Sequence, residues 1–157
     1  MIKQYKVPDE TNTPGLREMR LEDVPEVREL LNKYLSRFDL APVFESDEDV
    51  KHWILPHEKV VWSYVVEDAQ TKKITDVFSF YSLPSSVIGN PKHSTLNAAY
   101  MFYYAVDTTH CEDKEKENKY IRKRLNELVN DALILAKKVN YKNMSLEKRF
   151  KLLIGWL

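Results

Sequence analysis

The amino-acid sequence predicts an α+β (mixed α/β) fold in which helices cover a largely antiparallel sheet. Its 157 residues are the size of one ordinary domain. The spacing of apolar residues alternates between a helical period and a strand period along the chain. The predicted order is strand, helix, helix, strand, strand, strand, helix, a pattern that favours one layered α+β unit. We predict an extended lead-in over 1–12, the domain over 13–140 and a tail over 141–157 without comparable signals.

The first three elements are predicted from spacing and capping residues. Residues 15–20 alternate between apolar and polar, which indicates a short strand. Residues 24–38 carry one apolar stripe at helical spacing, at positions 24, 27, 30, 31, 34, 35 and 38. Ser46 to Asp49 matches a capping box, with Asp in the place of the usual Glu. A short helix through Val50, Trp53 and Ile54 is expected to follow and to end before Pro56.

Three strand-like runs and a long helix complete the prediction. The runs cover 60–66, 74–81 and 98–106, and a loop holding Pro84, Gly89, Asn90 and Pro91 separates the last two. The third run lacks polar alternation, which is typical of a central strand covered on both faces. Residues 107–119 are predicted to form a charged insert. An amphipathic helix is expected from Ile121 to about 137–138.

Composition excludes several functional classes. Lys+Arg and Asp+Glu number 24 each, so a chain without net charge has no electrostatic reason to bind nucleic acid or an anionic membrane. No apolar run approaches the ~20 residues of a membrane span, and the N-terminus does not resemble a signal peptide. The single cysteine, Cys111, excludes an internal disulfide, and the four histidines lack metal-ligand spacing. We expect a reduced, cytoplasmic protein without a metal site.

The predicted order resembles the first part of the Gcn5-related acetyltransferase (GNAT) fold, without its final strands. Such a fold holds the diphosphate of coenzyme A on main-chain N–H groups in a glycine-rich turn between the fourth strand and the third helix. The chain has only three glycines, and the corresponding residues 107–115 contain none of them but four carboxylates. Because carboxylates repel a diphosphate, we predict that this chain binds no CoA cofactor by itself.

Other candidate sites are better explained by structural roles. His110 and Cys111 are adjacent among acidic residues, so we expect a surface thiol and no catalytic residue. The basic cluster over 119–124 is expected to be a solvated helix face. Asp76, inside a strand run, could be a buried acid, but an outward-facing residue of an edge strand is the simpler expectation. Ser85 and Tyr100, with Phe80, Tyr81, Phe102, Tyr103 and Tyr104 nearby in the predicted sheet, could line a peptide groove or could pack in the core.

Six motifs in order resemble the C-terminal half of eukaryotic, most closely fungal, glycylpeptide N-tetradecanoyltransferase (N-myristoyltransferase). They lie at 13–19, 34–38, 50–53, 78–85, 98–100 and 131–137, within a span of about 3–140. The resemblance implies a two-half enzyme that transfers a tetradecanoyl group from myristoyl-CoA to the amino group of an N-terminal glycine. It implies that the first half holds the acyl-CoA and the second supplies much of the peptide groove. By position, His52, Ser85 and Tyr100 are then expected to contact the peptide through hydrogen bonds and an aromatic wall.

The chain departs from the family pattern after Asn140. The resemblance implies N-terminal-glycine peptides and a separately supplied myristoyl-CoA-binding half as the partners. The chain is expected to be inactive alone. The alternative is a non-catalytic peptide-binding module or a truncated gene product. Loss of the final strands is expected to expose a sheet edge and to favour self-association.

Overall fold

The computed structural model describes residues 8–89, 95–142 and 151–153. Within these ranges the predicted order of strands and helices is confirmed. The elements are β1 (Leu16–Glu18), a 3₁₀ turn (Leu21–Asp23), α1 (Val24–Leu35), α2 (Asp47–Trp53), β2 (Val61–Glu67), β3 (Ile74–Ser86), β4 (Thr95–Val106), α3 (Lys114–Lys142) and β5 (Lys151–Leu153). None of the described helices is long and apolar enough to cross a membrane.

The five strands form one sheet in the order β1-β2-β3-β4-β5. The first three pairings are antiparallel, and β5 runs parallel to β4. Between the pairs Phe78↔Tyr104 and Phe80↔Met101, β4 carries one more residue than β3, which makes a β-bulge. At this bulge the Tyr103 N–H donates to Ser79 Oγ over 3.0 Å, and the Ser79 hydroxyl donates to the Tyr103 carbonyl over 3.1 Å.

Helices α1 and α2 cover one face of the sheet. The Ser63 hydroxyl on β2 donates to the carbonyl of Ile54 at the end of α2, so α2 lies on the Ser63 face. The predicted capping box is confirmed: Ser46 Oγ accepts from the Asp49 N–H, and the Asp49 carboxylate accepts from the Ser46 N–H over 2.9 Å. Helix α1 packs against α2 and against β3 and β4. The buried residues of α1 that cover this face are Val24, Val27, Leu30, Leu31 and Tyr34.

Helix α3 covers the opposite face. Asp76 pairs with Val66, an odd number of residues from Ser63, so its side chain lies on the other side of the sheet. There its carboxylate accepts hydrogen bonds from Arg124 Nε and Nη2 of α3, over 3.1 and 2.8 Å. The expectation that Asp76 points outward is wrong, because this side chain is only 1% exposed. The expectation of a fully solvated basic cluster is also wrong at Arg124. Its side chain pairs with Asp76 in the interface between the helix and the sheet.

β3 and β4 extend beyond the end of β2 as an arm, and β5 pairs with β4 at the base of this arm. β2 ends at Val61 opposite Tyr81, whereas β3 and β4 continue pairing to Ser86 and Thr95. Pro84, predicted in a loop, therefore lies in β3. Proline is tolerated there because no strand from β2 pairs with that edge. The rest of the predicted loop, residues 90–94, lies outside the described residues.

Two predicted helical positions lie beyond the ends of their helices. Helix α1 ends at Leu35, so Phe38 lies outside it and is 48% exposed. Helix α2 contains Val50 and Trp53 as predicted, but Ile54 is its C-cap, although the Ile54 side chain is buried. Both differences fall at helix ends, where the apolar period continues although the helix stops.

The C-terminal part of the chain is more ordered than predicted. Helix α3 begins at Lys114, inside the predicted insert, and continues through Lys142, past the predicted end. The Lys151–Leu153 strand pairs with Ala98–Tyr100, so the prediction of a tail without further elements is wrong at these residues. Residues 1–7 of the lead-in, and 143–150 and 154–157 of the tail, lie outside the described residues.

Candidate functional site

The strand register brings Ser85 and Tyr100 to the same face of the β3–β4 arm. Tyr81 pairs directly with Tyr100, and Ser85 follows Tyr81 by four residues on the same strand. Because side chains alternate along a strand, all three lie on the face that α2 shares with Ser63. Ser85 is exposed and Tyr100 is half-buried, so both side chains are within reach of a ligand.

A row of aromatic rings runs across this face. Tyr81 stacks on Tyr100 with 5.6 Å between ring centroids, and its ring meets Phe102 edge-on at 5.4 Å. Phe102 contacts Tyr103 at 4.4 Å, and Tyr103 contacts Phe44 at 5.2 Å. We call these five residues, Tyr100, Tyr81, Phe102, Tyr103 and Phe44, the aromatic row. Four of its members are half-buried and Phe44 is buried, so the row is both packed and accessible.

The predicted aromatic group is divided between the two faces and the strand edge. Phe80 is buried on the α3 face, where it stacks with Trp62 and Tyr64. Tyr104 packs against Tyr34 of α1 at 5.8 Å. Phe80 therefore belongs to the core, whereas Tyr81, Tyr100 and Phe102 are accessible, and for these residues the peptide groove stays a prediction.

His52 lies in the last turn of α2, two residues before the carbonyl that anchors this helix to Ser63. Its ring is exposed and meets only the ring of the neighbouring Trp53, at 4.8 Å, among the described aromatic contacts. The described contacts therefore do not join His52 to Ser85 or Tyr100. Its helix nevertheless lies on the same face of the sheet as these two residues.

In the connection between β4 and α3, a carboxylate accepts hydrogen bonds from neighbouring residues of the same connection. The Asp107 carboxylate accepts from the Thr109 N–H and hydroxyl, over 3.1 and 2.7 Å, and lies 3.4 Å from Lys33 Nζ. Burial alone would raise the pKa of Asp107, but the hydrogen bonds from Thr109 and the charge of Lys33 hold this pKa below its usual value. Asp107 is therefore an anion at neutral pH.

The first turn of α3 holds a second bound carboxylate. The Glu117 carboxylate accepts from the Thr108 hydroxyl and from Arg37 Nη2, each over 2.8 Å, and these bonds hold its pKa below the usual value. The Asp113 carboxylate accepts from the Glu115 N–H over 3.4 Å, at the position where a bound phosphate would meet the helix. Carboxylates therefore already accept from two main-chain N–H groups here, those of Thr109 and Glu115.

The remaining predicted chemical groups do not form a site. His110 packs against Tyr120 at 4.5 Å, and Cys111 is half-buried. No group of three or more His, Cys, Asp or Glu side chains could hold a metal ion in the part of the chain that the structure describes. The feature that sequence reasoning missed is Phe44, which joins the row from the α1–α2 loop. It lies at the end of a mainly apolar run between the two helices, at residues 38–44, which the sequence does not assign to any element.

These features define an α+β domain with an accessible aromatic row, a serine hydroxyl on the same face and, among the described residues, carboxylates at the turn before α3. The family model of the myristoyl-CoA:protein N-myristoyltransferase C-terminal domain matches residues 1–146. The chain belongs to this family.

Relatives and solved structures agree with this assignment. The chain is 52% identical over 143 residues to glycylpeptide N-tetradecanoyltransferase of Schizosaccharomyces pombe, covering 88% of this chain and 30% of that protein. It is 50% identical over 145 residues to the Neurospora crassa protein of the same name, covering 89% and 25%. Saccharomyces cerevisiae N-myristoyltransferase, solved with bound myristoyl-CoA, superposes with a TM-score of 0.78 at 41% identity, over 86% of this chain and 32% of that chain.

The chain thus spans between a quarter and a third of the length of these relatives. The fold likeness extends beyond the family. The BH1408 protein from Bacillus halodurans, in a mutant form, matches with a TM-score of 0.52 at 14% identity, over 89% of this chain and 82% of that one. This second likeness concerns the fold alone.

Proposed function

We propose that this chain is the peptide-binding part of a protein N-myristoyltransferase, an enzyme that transfers a tetradecanoyl group from myristoyl-CoA to an N-terminal glycine. One observation carries the proposal. The aromatic row and Ser85 lie on one accessible face, while carboxylates accept from main-chain N–H groups of the β4–α3 connection and leave it unsuited to a diphosphate. The family membership supports the reaction, and this combination supports binding of the peptide substrate, not of the acyl-CoA, by this chain.

The three predicted peptide-binding side chains have different roles in this proposal. The Ser85 hydroxyl donates to or accepts from the backbone of the bound peptide, since it is exposed on the face of the aromatic row. The Tyr100 ring, fixed by its stack on Tyr81, forms an apolar wall with a polar tip. His52 contacts the peptide from the end of α2. None of the three takes up a proton in the transfer.

The acyl donor is held elsewhere in the enzyme. The Asp107 carboxylate lies in the connection where a GNAT-like fold would place a diphosphate, and the Glu117 carboxylate follows in the first turn of α3. Both are anionic and oppose a diphosphate, although Lys33 and Arg37 neutralise part of their charge. The chain covers 32% of the S. cerevisiae enzyme solved with myristoyl-CoA, so most of that protein lies outside the matched part. The 157-residue chain by itself is therefore expected to bind peptide weakly and to transfer nothing.

Removal of the Tyr100 ring is expected to weaken peptide binding about tenfold, the equivalent of about 1.4 kcal/mol. Two-dimensional NMR titration of the chain with an N-terminal-glycine octapeptide measures the weak Kd. Ser85→Ala is expected to weaken binding severalfold, whereas Ser86→Ala provides the matched control because the Ser86 side chain faces the other side of the arm. Equal losses in Ser85→Ala and Ser86→Ala, or unchanged binding in Tyr100→Ala, would contradict the assignment.

Myristoyl-CoA is expected to give no binding heat with the chain alone in isothermal titration. The S. cerevisiae enzyme, which has been solved with this ligand, is the positive control. Removal of the two negative charges by Asp107→Asn and Glu117→Gln tests the stated reason, because a site blocked only by repulsion would then gain affinity. Tight binding of myristoyl-CoA to the unmodified chain would show that the acyl-CoA site is here and would overturn the division of labour.

A further inference from the structure

The loop between α1 and α2 presents large apolar side chains to solvent. Within residues 38–43, Phe38 is 48% exposed, Leu40 is 96% exposed and Val43 is 72% exposed. We call these residues the apolar loop. Single exposed apolar side chains are common on protein surfaces, but three within six residues form a patch of the kind that marks an interaction site.

Both ends of the apolar loop are firmly held. At its far end, the Asn32 side chain forms two hydrogen bonds with the Phe44 backbone, donating to the carbonyl and accepting from the N–H, each over 2.9 Å. At its near end, the Phe38 ring meets Tyr34 at 6.2 Å, and the Arg37 guanidinium lies 4.3 Å over the Tyr34 ring. The contacts on either side fix this segment in a conformation that leaves the Leu40 and Val43 side chains exposed.

The apolar loop is continuous with the candidate peptide site. Phe44 ends the loop and also begins the aromatic row, which leads through Tyr103, Phe102 and Tyr81 to Tyr100. Each link in this row is a direct ring contact. Phe44 is buried and directly follows Val43 in the chain, so the apolar loop lies beside the Tyr103 end of the aromatic row.

We infer that the apolar loop is the docking element for the protein region that holds myristoyl-CoA. The inference rests on the proposed function, which requires such a region beside the aromatic row. The chain spans 30% of the S. pombe relative and 32% of the S. cerevisiae chain, so the remaining part of these proteins is the available occupant. Burial of Leu40 and Val43 in that contact removes the exposed patch from water.

The charges around the apolar loop favour a protein over a lipid surface. Asp39 within the loop and Glu45 just after it are exposed, and Asp47, Glu48 and Asp49 follow at the start of α2. An anionic bilayer repels this acidic rim, whereas a protein groove with basic residues at its edge complements it. The docking contact is therefore expected to weaken with added salt.

The experiment measures association between the 157-residue chain and the remaining part of the S. pombe relative, co-expressed and then titrated in the presence of myristoyl-CoA. The double variant Leu40→Asp/Val43→Asp is expected to raise the Kd at least tenfold. Leu21→Asp is the matched control, because Leu21 is also an exposed leucine, at 60%, but lies in the 3₁₀ turn after β1. Circular dichroism checks that each variant is folded, and the fully exposed positions leave the core unchanged.

Each outcome decides the inference. A Kd raised by Leu40→Asp/Val43→Asp and unchanged by Leu21→Asp supports it, as does protection of residues 38–43 from hydrogen exchange in the complex of the unmodified chain. Equal affinities for the double variant and the unmodified chain overturn it, and so does an absence of any association. Binding of the apolar loop to anionic vesicles in place of the protein also overturns it. Failure of the proposed function is read separately, from the peptide titrations of Tyr100→Ala and Ser85→Ala.

Discussion

Replacing Arg124 with alanine is expected to lower the free energy of unfolding of this chain by about 3–5 kcal/mol. The Asp76 carboxylate is 1% exposed and accepts two hydrogen bonds from the Arg124 guanidinium, over 3.1 and 2.8 Å. These hydrogen bonds hold the pKa of Arg124 above its usual value. The variant keeps a buried carboxylate supported only by the Thr75 hydroxyl, which donates to it over 2.8 Å. Equilibrium urea unfolding measures the change.

The controls separate this ion pair from the loss of a surface charge. Arg122→Ala removes an exposed arginine from the same helix and is expected to change stability by less than about 0.5 kcal/mol. The double variant Asp76→Ala/Arg124→Ala is expected to lose less than the sum of the two single changes, since neither partner is then left buried alone. Additive losses, or an Arg124→Ala variant as stable as the unmodified chain, would show that the pair does not support the helix–sheet interface.

Replacing Gly15 with alanine is expected to destabilise the chain by about 3 kcal/mol. Gly15 precedes β1 with φ at +75°, a region that residues with a side chain rarely adopt. A Cβ atom there would lie 2.1 Å from the carbonyl oxygen of Glu67, which is backbone and cannot turn away. The same Glu67 donates its N–H to the Gly15 carbonyl over 3.0 Å, so relief of the clash separates the end of β1 from β2.

Gly89 offers a matched control for this substitution. Its φ is +78°, nearly the same as that of Gly15, but a Cβ atom would meet no atom of the described residues within 4 Å. Gly89→Ala therefore reports the backbone cost alone, about 1 kcal/mol. Thermal unfolding followed by circular dichroism compares the two variants. Equal shifts of Tm in both would mean that the contact with Glu67 contributes nothing.

Features encoded by near neighbours in the chain were predictable. The capping box of α2 depends on Ser46 and Asp49, three residues apart, and the structure forms both of its hydrogen bonds. The buried stripe of α1 follows from helical spacing alone, up to the residue where the helix ends. Phe38 continues that spacing but lies outside the helix, because periodicity does not report where the backbone stops hydrogen bonding.

Features that depend on distant partners were not predictable in the same way. Asp76 reads as an outward-facing acid until Arg124, 48 residues later, is known to lie beside it. The site shows the same limit. The resemblance indicated Ser85 and Tyr100, but only the register, with Tyr81 opposite Tyr100, shows that their side chains share one face. A shift of one residue would have moved one of them to the other side of the arm.

The sequence by itself determined the order of the elements up to α3 and the absence of a glycine-rich turn before that helix, because spacing, capping and composition are properties of the chain read locally. Its six motifs indicated the family by resemblance, and the family model agrees with them. The tertiary structure decided which polar groups are buried, which aromatic rings form an accessible strip and which apolar side chains remain uncovered. These depend on strand register and on contacts between residues far apart in the chain. Free energies of burial and pairing are set by what surrounds a side chain in space, and that surrounding exists only once the sheet and its helices have assembled.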